Sequence, residues 1–230
     1  ADGSWAYEIR RTASKDFLYF RKNDNGEWIC GHSAGEYWFS PNQATWFQIK
    51  PSSRISASTL RRTYPEGEKL LYRLPELIAA PLNKPVVIVE GEKDVNRCFK
   101  EGFTATCNPL GAGTNKWLDS FSRHFEGRKV VIIPDNDPPD TYDPATGKMT
   151  KGFHGQRHAK RISDSLEFHA AFRKVDIQAA VLELQGLPIK GDISDWFDDG
   201  HTAAELKQLI DDSLTQTAQC QQSQANVPTP

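Results

Sequence analysis

Val86-Val87-Ile88-Val89-Glu90-Gly91-Glu92 and Lys129-Val130-Val131-Ile132-Ile133-Pro134-Asp135-Asn136-Asp137 decide how this chain is read. Each begins as a short β-branched run bounded by Pro or Gly, the pattern of a buried parallel strand. Each ends in carboxylates. Open α/β sheets bind ligands just past the carboxyl ends of their strands, which is where these acids fall. Carboxylates gathered at one point repel one another unless protonated or neutralised by a cation. Oxygen-only ligands that leave room for water and phosphate suit Mg²⁺ or Mn²⁺.

The alternation of strand and helix signals extends outward from these runs. Val95, Cys98 and Phe99 recur at helical spacing until Gly102. Thr104–Cys107 reads as a second short strand leading into Leu110-Gly111-Ala112-Gly113, and Trp117, Leu118, Phe121 and Phe125 mark an amphipathic helix. Residues 138–152 form a long polar loop. A helix is predicted from Gly152 to His169 with Ala159, Ile162 and Leu166 inward. Phe172–Val175 and Ala180–Leu184 read as further strand. Thr202 with Glu205 is a capping box, opening a last helix with Leu206, Leu209 and Ile210 on its buried face. Residues 214–230 are predicted to be a disordered tail.

Upstream the texture is different. Trp5–Ile9, Phe17–Phe20, Glu27–Ile29 and Tyr37–Phe39 read as short strands, with Asn23-Asp24-Asn25-Gly26 as a turn. Trp5, Tyr7, Trp28, Trp38 and Trp46 suit a small β core, the more economical reading, or a base-stacking surface. Residues 50–62 are polar, with Lys50, Arg54, Arg61 and Arg62. The expected organisation is a β-rich N-terminal unit and connector (1–80), an α/β domain (81–213) and the tail.

Bulk properties exclude some classes. The chain has 230 residues, 38% of them hydrophobic, and a net charge of −2, so any nucleic-acid surface must be a local patch. Cys30, Cys98, Cys107 and Cys220 lack zinc-ligand spacing and read as buried reduced thiols. No signal peptide or membrane-spanning run is seen, which predicts a cytoplasmic protein with no membrane partner. The start without Met and the Gln/Ser/Pro ending suit a piece of a longer protein.

Val89-Glu90-Gly91-Glu92-Lys93-Asp94, Leu110-Gly111-Ala112-Gly113, Asp135-Asn136-Asp137 and Gly191-Asp192-Ile193-Ser194-Asp195, in that order, resemble the motifs of a Toprim domain of the primase type. Leu71-Tyr72-Arg73-Leu74-Pro75-Glu76-Leu77 is similar to a segment preceding Toprim in phage-type primases. The resemblance implies an α/β, Rossmann-like, mostly parallel sheet flanked by helices. It implies a metal-dependent nucleotidyltransferase that makes short RNA primers on a single-stranded DNA template from NTPs, using Mg²⁺ or Mn²⁺. The setting would be phage, plasmid or mobile-element replication, with a replicative helicase or helicase domain as partner.

In that resemblance Glu90, Asp135 and Asp137 are the metal-binding acids, and Glu90 is also a general acid or base. Asp94, Asp192 and Asp195 complete the catalytic set, and Gly111 belongs to a backbone turn suited to phosphate. Position alone suggests Lys116 for a nucleotide phosphate, and Arg157, His158, Lys160 and Arg161 for nucleic acid. Other readings stay open. Glu90, Asp94, Asp192 and Asp195 suit helix caps and first turns, Asp135 and Asp137 suit a turn, and the basic residues suit a solvated face. A Toprim nuclease and a non-catalytic nucleic-acid-binding module are the rival functions. Two departures from the primase pattern are the loop after Asp137 and the absence of a zinc module.

Overall fold

The computed structural model describes strand backbone between Glu8 and Ile49, residues 70–109, 111–113 and 116–220 with side chains, and helical backbone onward to Ala225. The turn at Asn23–Gly26, the basic stretch 50–62 and the N-terminal aromatic side chains lie outside the described residues. The chain divides into two units, Ala1–Lys69 and Leu70–Pro230.

The first unit contains an antiparallel sheet of five strands in sequential order: β1 (Glu8–Arg11), β2 (Phe17–Lys22), β3 (Trp28–His32), β4 (Gly35–Ser40) and β5 (Thr45–Ile49). It is the β-rich unit expected from the sequence. The connector boundary differs from the predicted residue 80. Leu71, Leu74 and Leu77, the last two on α1 (Leu74–Ala79), pack into the core of the second unit. Their burial transfers this segment to the α/β domain.

The second unit is built on a parallel sheet ordered β11-β8-β6-β7: β6 (Val86–Ile88), β7 (Thr104–Thr106), β8 (Lys129–Ile132) and β11 (Gln178–Val181). Alternate residues of each strand serve opposite faces. Val87, Val89, Ala105, Cys107, Val131, Ile133 and Ala180 meet α2 (Glu92–Lys100), α4 (Ile193–Asp198) and α5 (Ala203–Ala225). Val86, Ile88, Val130, Ile132 and Ala179 meet α1, the 3₁₀ helix Asp119–Phe125 and α3 (His154–Arg173). Each fully buried Val or Ile contributes about 1.5–3 kcal/mol. This is the α/β architecture, a parallel sheet flanked by helices, that the Toprim resemblance implies. Chain order reverses between β6 and β8, so their carboxyl ends open the crevice where such sheets bind ligands.

Several local expectations change. The 117–125 helix is 3₁₀, held by Phe121 N–H to Leu118 O at 2.9 Å, and still buries Phe121 and Phe125. Phe172 lies in the last turn of α3 instead of starting a strand, and Lys174 then turns the chain at φ 56°. The Thr202–Glu205 capping box forms, but Leu206, Ile210 and Leu214 face inward while Leu209 is exposed. The four-residue spacing of that stripe excludes Leu209. The predicted disordered tail is helical through Ala225, where Ala and Gln support a helix. Cys98 and Cys107 are free and buried, and Cys220 is free but exposed on the extended helix; Cys30 lies among the residues whose side chains are not described. No helix among the described residues is long and apolar enough to cross a membrane.

The loop after Asp137 has structure of its own. Strands β9 (Thr141–Asp143) and β10 (Lys148–Thr150) pair as an antiparallel hairpin. Its base is closed by Phe153 N–H to Pro138 O at 2.8 Å. Gly152 is needed there for space: a Cβ would lie 2.0 Å from Pro138 O.

Candidate active site

Pro134 has no N–H, so the backbone ladder from β6 to β8 cannot continue past Ile133. The next donor, Asp135 N–H, turns to Glu90 Oε1 at 3.2 Å. This bond joins the two strand ends. Asp137 accepts the N–H of Gly155 on Oδ2 at 2.8 Å, in the first turn of α3. That helix start carries partial positive charge, which suits a carboxylate. Gly155 itself is pressed into the cluster. A Cβ would sit 2.2 Å from Glu90 Oε1 and 2.9 Å from Asp135 O. The sequence reading did not single out Gly155; a glycine costs stability inside a helix, and that cost was the available signal.

A second acid group adjoins the first. Asp192 caps α4 through Ser194 and Asp195 N–H, and Asp195 Oδ2 accepts Asp192 N–H at 3.0 Å. The capping reading is therefore realised for both. Asp192 Oδ2 also meets Lys93 Nζ at 2.5 Å, while Asp94 accepts the Ser194 hydroxyl at 2.6 Å and lies 3.6 Å from Lys93. Lys93 and Ser194 were not among the expected site residues.

Asn136 binds the segments together. Its side-chain amide donates to Leu187 O at 2.8 Å and Pro188 O at 3.1 Å. Its backbone exchanges bonds with Gly191 and Lys190. The segment carrying Asp135 and Asp137 is thereby fixed to the one delivering Asp192. Asn136→Ala is expected to lower unfolding free energy by about 1–3 kcal/mol, the cost of stranding those acceptors, in a urea titration.

Electrostatically the two groups differ. Burial, with the nearby charges of Asp137 and Asp94, raises Glu90 to about 7 against the opposing Asp135 backbone hydrogen bond and the nearby His154. Burial, then the charges of Glu90, Asp94, Asp192 and Asp137, raise Asp135 to about 8. Among the described residues no lysine or arginine forms an ion pair with Glu90, Asp135 or Asp137. Burial also raises Asp94, against the Ser194 hydrogen bond. For Asp192, burial is outweighed by Lys93 and the capping N–H groups, so it is held below the usual carboxylate range.

Among the described residues no three His, Cys, Asp or Glu side chains form a ready metal cage. The donor set nonetheless fits Mg²⁺, which takes one or two carboxylates and completes its shell with water and phosphate oxygens. Glu90 and Asp135 supply hard oxygen and have no lysine or arginine ion pair among the described residues.

The chain is similar to the DnaG primase catalytic domain bound to ssDNA. The TM-score is 0.41 and the sequence identity 13%, with 89% of this chain and 57% of that chain covered. The chain thus spans a little over half of that domain's length. No family model matches, and no curated protein is similar in sequence.

The remaining expected residues lie on the glycine turn and on α3. Gly111 turns at φ 70°, and its carbonyl accepts Asn108 Nδ2 at 3.0 Å. Asn108 Oδ1 meets Nε2 of His158 at 2.8 Å, tying the glycine turn to α3. Burial holds His158 down near 4, so it is a neutral structural residue rather than a cationic contact. Lys116 flanks Gly113 and has no ion pair among the described residues. Arg157 holds Asp140 with two bonds at 2.9 and 2.7 Å, Lys160 pairs with Asp164 at 2.8 Å, and Arg161 with Asp119 at 2.7 Å. The structure gives each of these three cations an acid.

Proposed function

We propose that this protein is a primase-type, metal-dependent nucleotidyltransferase that extends RNA from NTPs on single-stranded DNA. One observation carries the reading: Glu90 and Asp135 lie bonded at the switch point of a parallel sheet, half-buried and without a lysine or arginine ion pair among the described residues. The four ordered motifs support primase chemistry within that broader class.

The roles divide along the two acid groups. Glu90, Asp135 and Asp137 would hold Mg²⁺ or Mn²⁺, which would supply neutralisation of phosphate charge and a lowered pKa for an attacking hydroxyl. Glu90 keeps Oε1 on the Asp135 N–H and has Oε2 free of protein hydrogen bonds among the described residues. Oε2 accepts the proton of the attacking ribose hydroxyl. Asp94 and Asp192, with Lys93 between them, flank the cluster, and Asp195 holds Asp192 in place. Gly111 and Lys116 receive phosphate at the end of β7. Lys160 and Arg161 exchange exposed ion pairs worth about 0–1 kcal/mol each for phosphates of the template.

The test is a gel assay with mixed-sequence single-stranded DNA, labelled NTPs and Mg²⁺ or Mn²⁺, with Asp135→Ala/Asp137→Ala alongside. Short labelled products from wild type alone are expected. Shortening of end-labelled DNA without NTPs would replace the reading with a nuclease. Binding equally strong in EDTA with no chemistry under either metal would replace it with a binding module.

A further inference from the structure

The hairpin after Asp137 is an arm with an unused surface. Every residue from Pro139 to Lys151 is exposed. Tyr142 and Met149 are direct cross-strand partners, and they remain 60% and 62% exposed. Two large apolar side chains paired on an isolated two-stranded hairpin bury little of themselves, and such a hairpin is marginal alone. Something other than the hairpin's own stability must account for them.

The charges around this pair favour one kind of partner. Asp140 at the arm's base is neutralised by the double bond to Arg157 and also accepts Gly152 N–H at 2.6 Å. Asp143 accepts Ala145 N–H and the Thr146 hydroxyl, which favour its ionised form, and it stands directly across the ladder from Lys148. Lys148 and Lys151 have no ion pair among the described residues. Lys151 and Phe153, which is 40% exposed, follow Met149 at alternate positions. Lys148 lies across the ladder from Asp143, on the other face; the apolar platform of Tyr142 and Met149, with Lys151 at the next alternate position, matches a single strand, whose bases offer π-faces and whose backbone offers phosphates.

We infer that the arm is a clasp for single-stranded nucleic acid, in which Tyr142 and Met149 pack against a base while Lys151 contacts a flanking phosphate. This rests on the reading of the neighbouring acids as a nucleotidyl-transfer site only for its purpose; the binding itself needs no metal. Arg157 acts through Asp140, fixing the arm's root beside Asp137 so that a clasped strand passes the carboxylates.

The experiment is fluorescence anisotropy of the full chain with a labelled mixed-sequence single-stranded oligonucleotide in EDTA. Wild type, Tyr142→Ala/Met149→Ala and Tyr142→Phe are compared. The double variant is expected to bind roughly 10-fold more weakly, while Tyr142→Phe, which keeps the ring, stays within about twofold of wild type. Both variants should melt with wild type, since neither side chain is buried. Equal affinity of wild type and the double variant, or no binding by wild type, would overturn the clasp, and the exposed pair would then belong to a protein contact. A loss of affinity equal in Tyr142→Phe would also overturn it, because stacking does not need the hydroxyl. Arm-dependent binding in a chain that incorporates no NTP would leave the clasp standing and remove the catalytic reading instead.

Discussion

Asp135→Asn is expected to make the metal-free protein more stable at pH 8 while removing metal-dependent chemistry. The stability effect follows from its raised pKa of about 8 against an ordinary value of 3.8. A carboxyl whose folded pKa lies above its unfolded one is bound to its proton more tightly in the native state. Its favourable contribution is complete below the unfolded value and is lost as pH rises through the folded one. Glu90, raised to about 7, acts with the same sign. Thermal melts of the metal-free wild type should therefore fall as pH rises from about 5 to about 8. Asn at 135 keeps the backbone donor to Glu90 and removes one buried charge, so the slope should flatten and Tm at pH 8 should rise.

Mg²⁺ should stabilise wild type at pH 8, by about 2.7 kcal/mol at a hundredfold excess over Kd, and the variant much less. Activity should fall by at least about 10³-fold, since a ligand that helps neutralise transferring phosphate is worth several kcal/mol. A variant less stable than wild type at pH 8 would show that Asp135 is already neutralised by something else.

Gly155→Ala should be harmful, although alanine normally strengthens a helix by roughly 0.5–1 kcal/mol over glycine. The new methyl would displace Glu90 Oε1 from 2.2 Å and press on the Asp135 carbonyl at 2.9 Å. The carboxylate can swing away; the backbone can move only with α3 or β8. A loss of about 1–3 kcal/mol in chemical denaturation is expected, with nucleotide incorporation reduced as far as in Glu90→Ala. Increased helix stability with full activity would mean that the close approach is not maintained in solution.

The sequence revealed the strand-end acids because β-branched runs, Pro134 and Gly91 leave few other arrangements for them. Burial on both faces also made the α/β sheet readable. Asp192 and Asp195 were legible as a capping pair, and the structure forms that box on α4 while Asp192 also pairs with Lys93. Pairing was harder to read. Arg157 finds Asp140 and Arg161 finds Asp119 across the fold, contacts that spacing cannot reveal. Lys160 is different: Asp164 stands four residues on, the ordinary helical ion pair, and was available to be read. Asn136 sat between two acids and drew no notice, yet it makes the bonds that hold the site's segments together.

The arm leaves and re-enters the domain at adjoining points, with Pro138 O and Phe153 N only 2.8 Å apart. Its two roots therefore form a natural splice junction. A reporter peptide grafted at the Thr146–Gly147 tip, or a short link replacing the strands, would enter the chain without stretching either root.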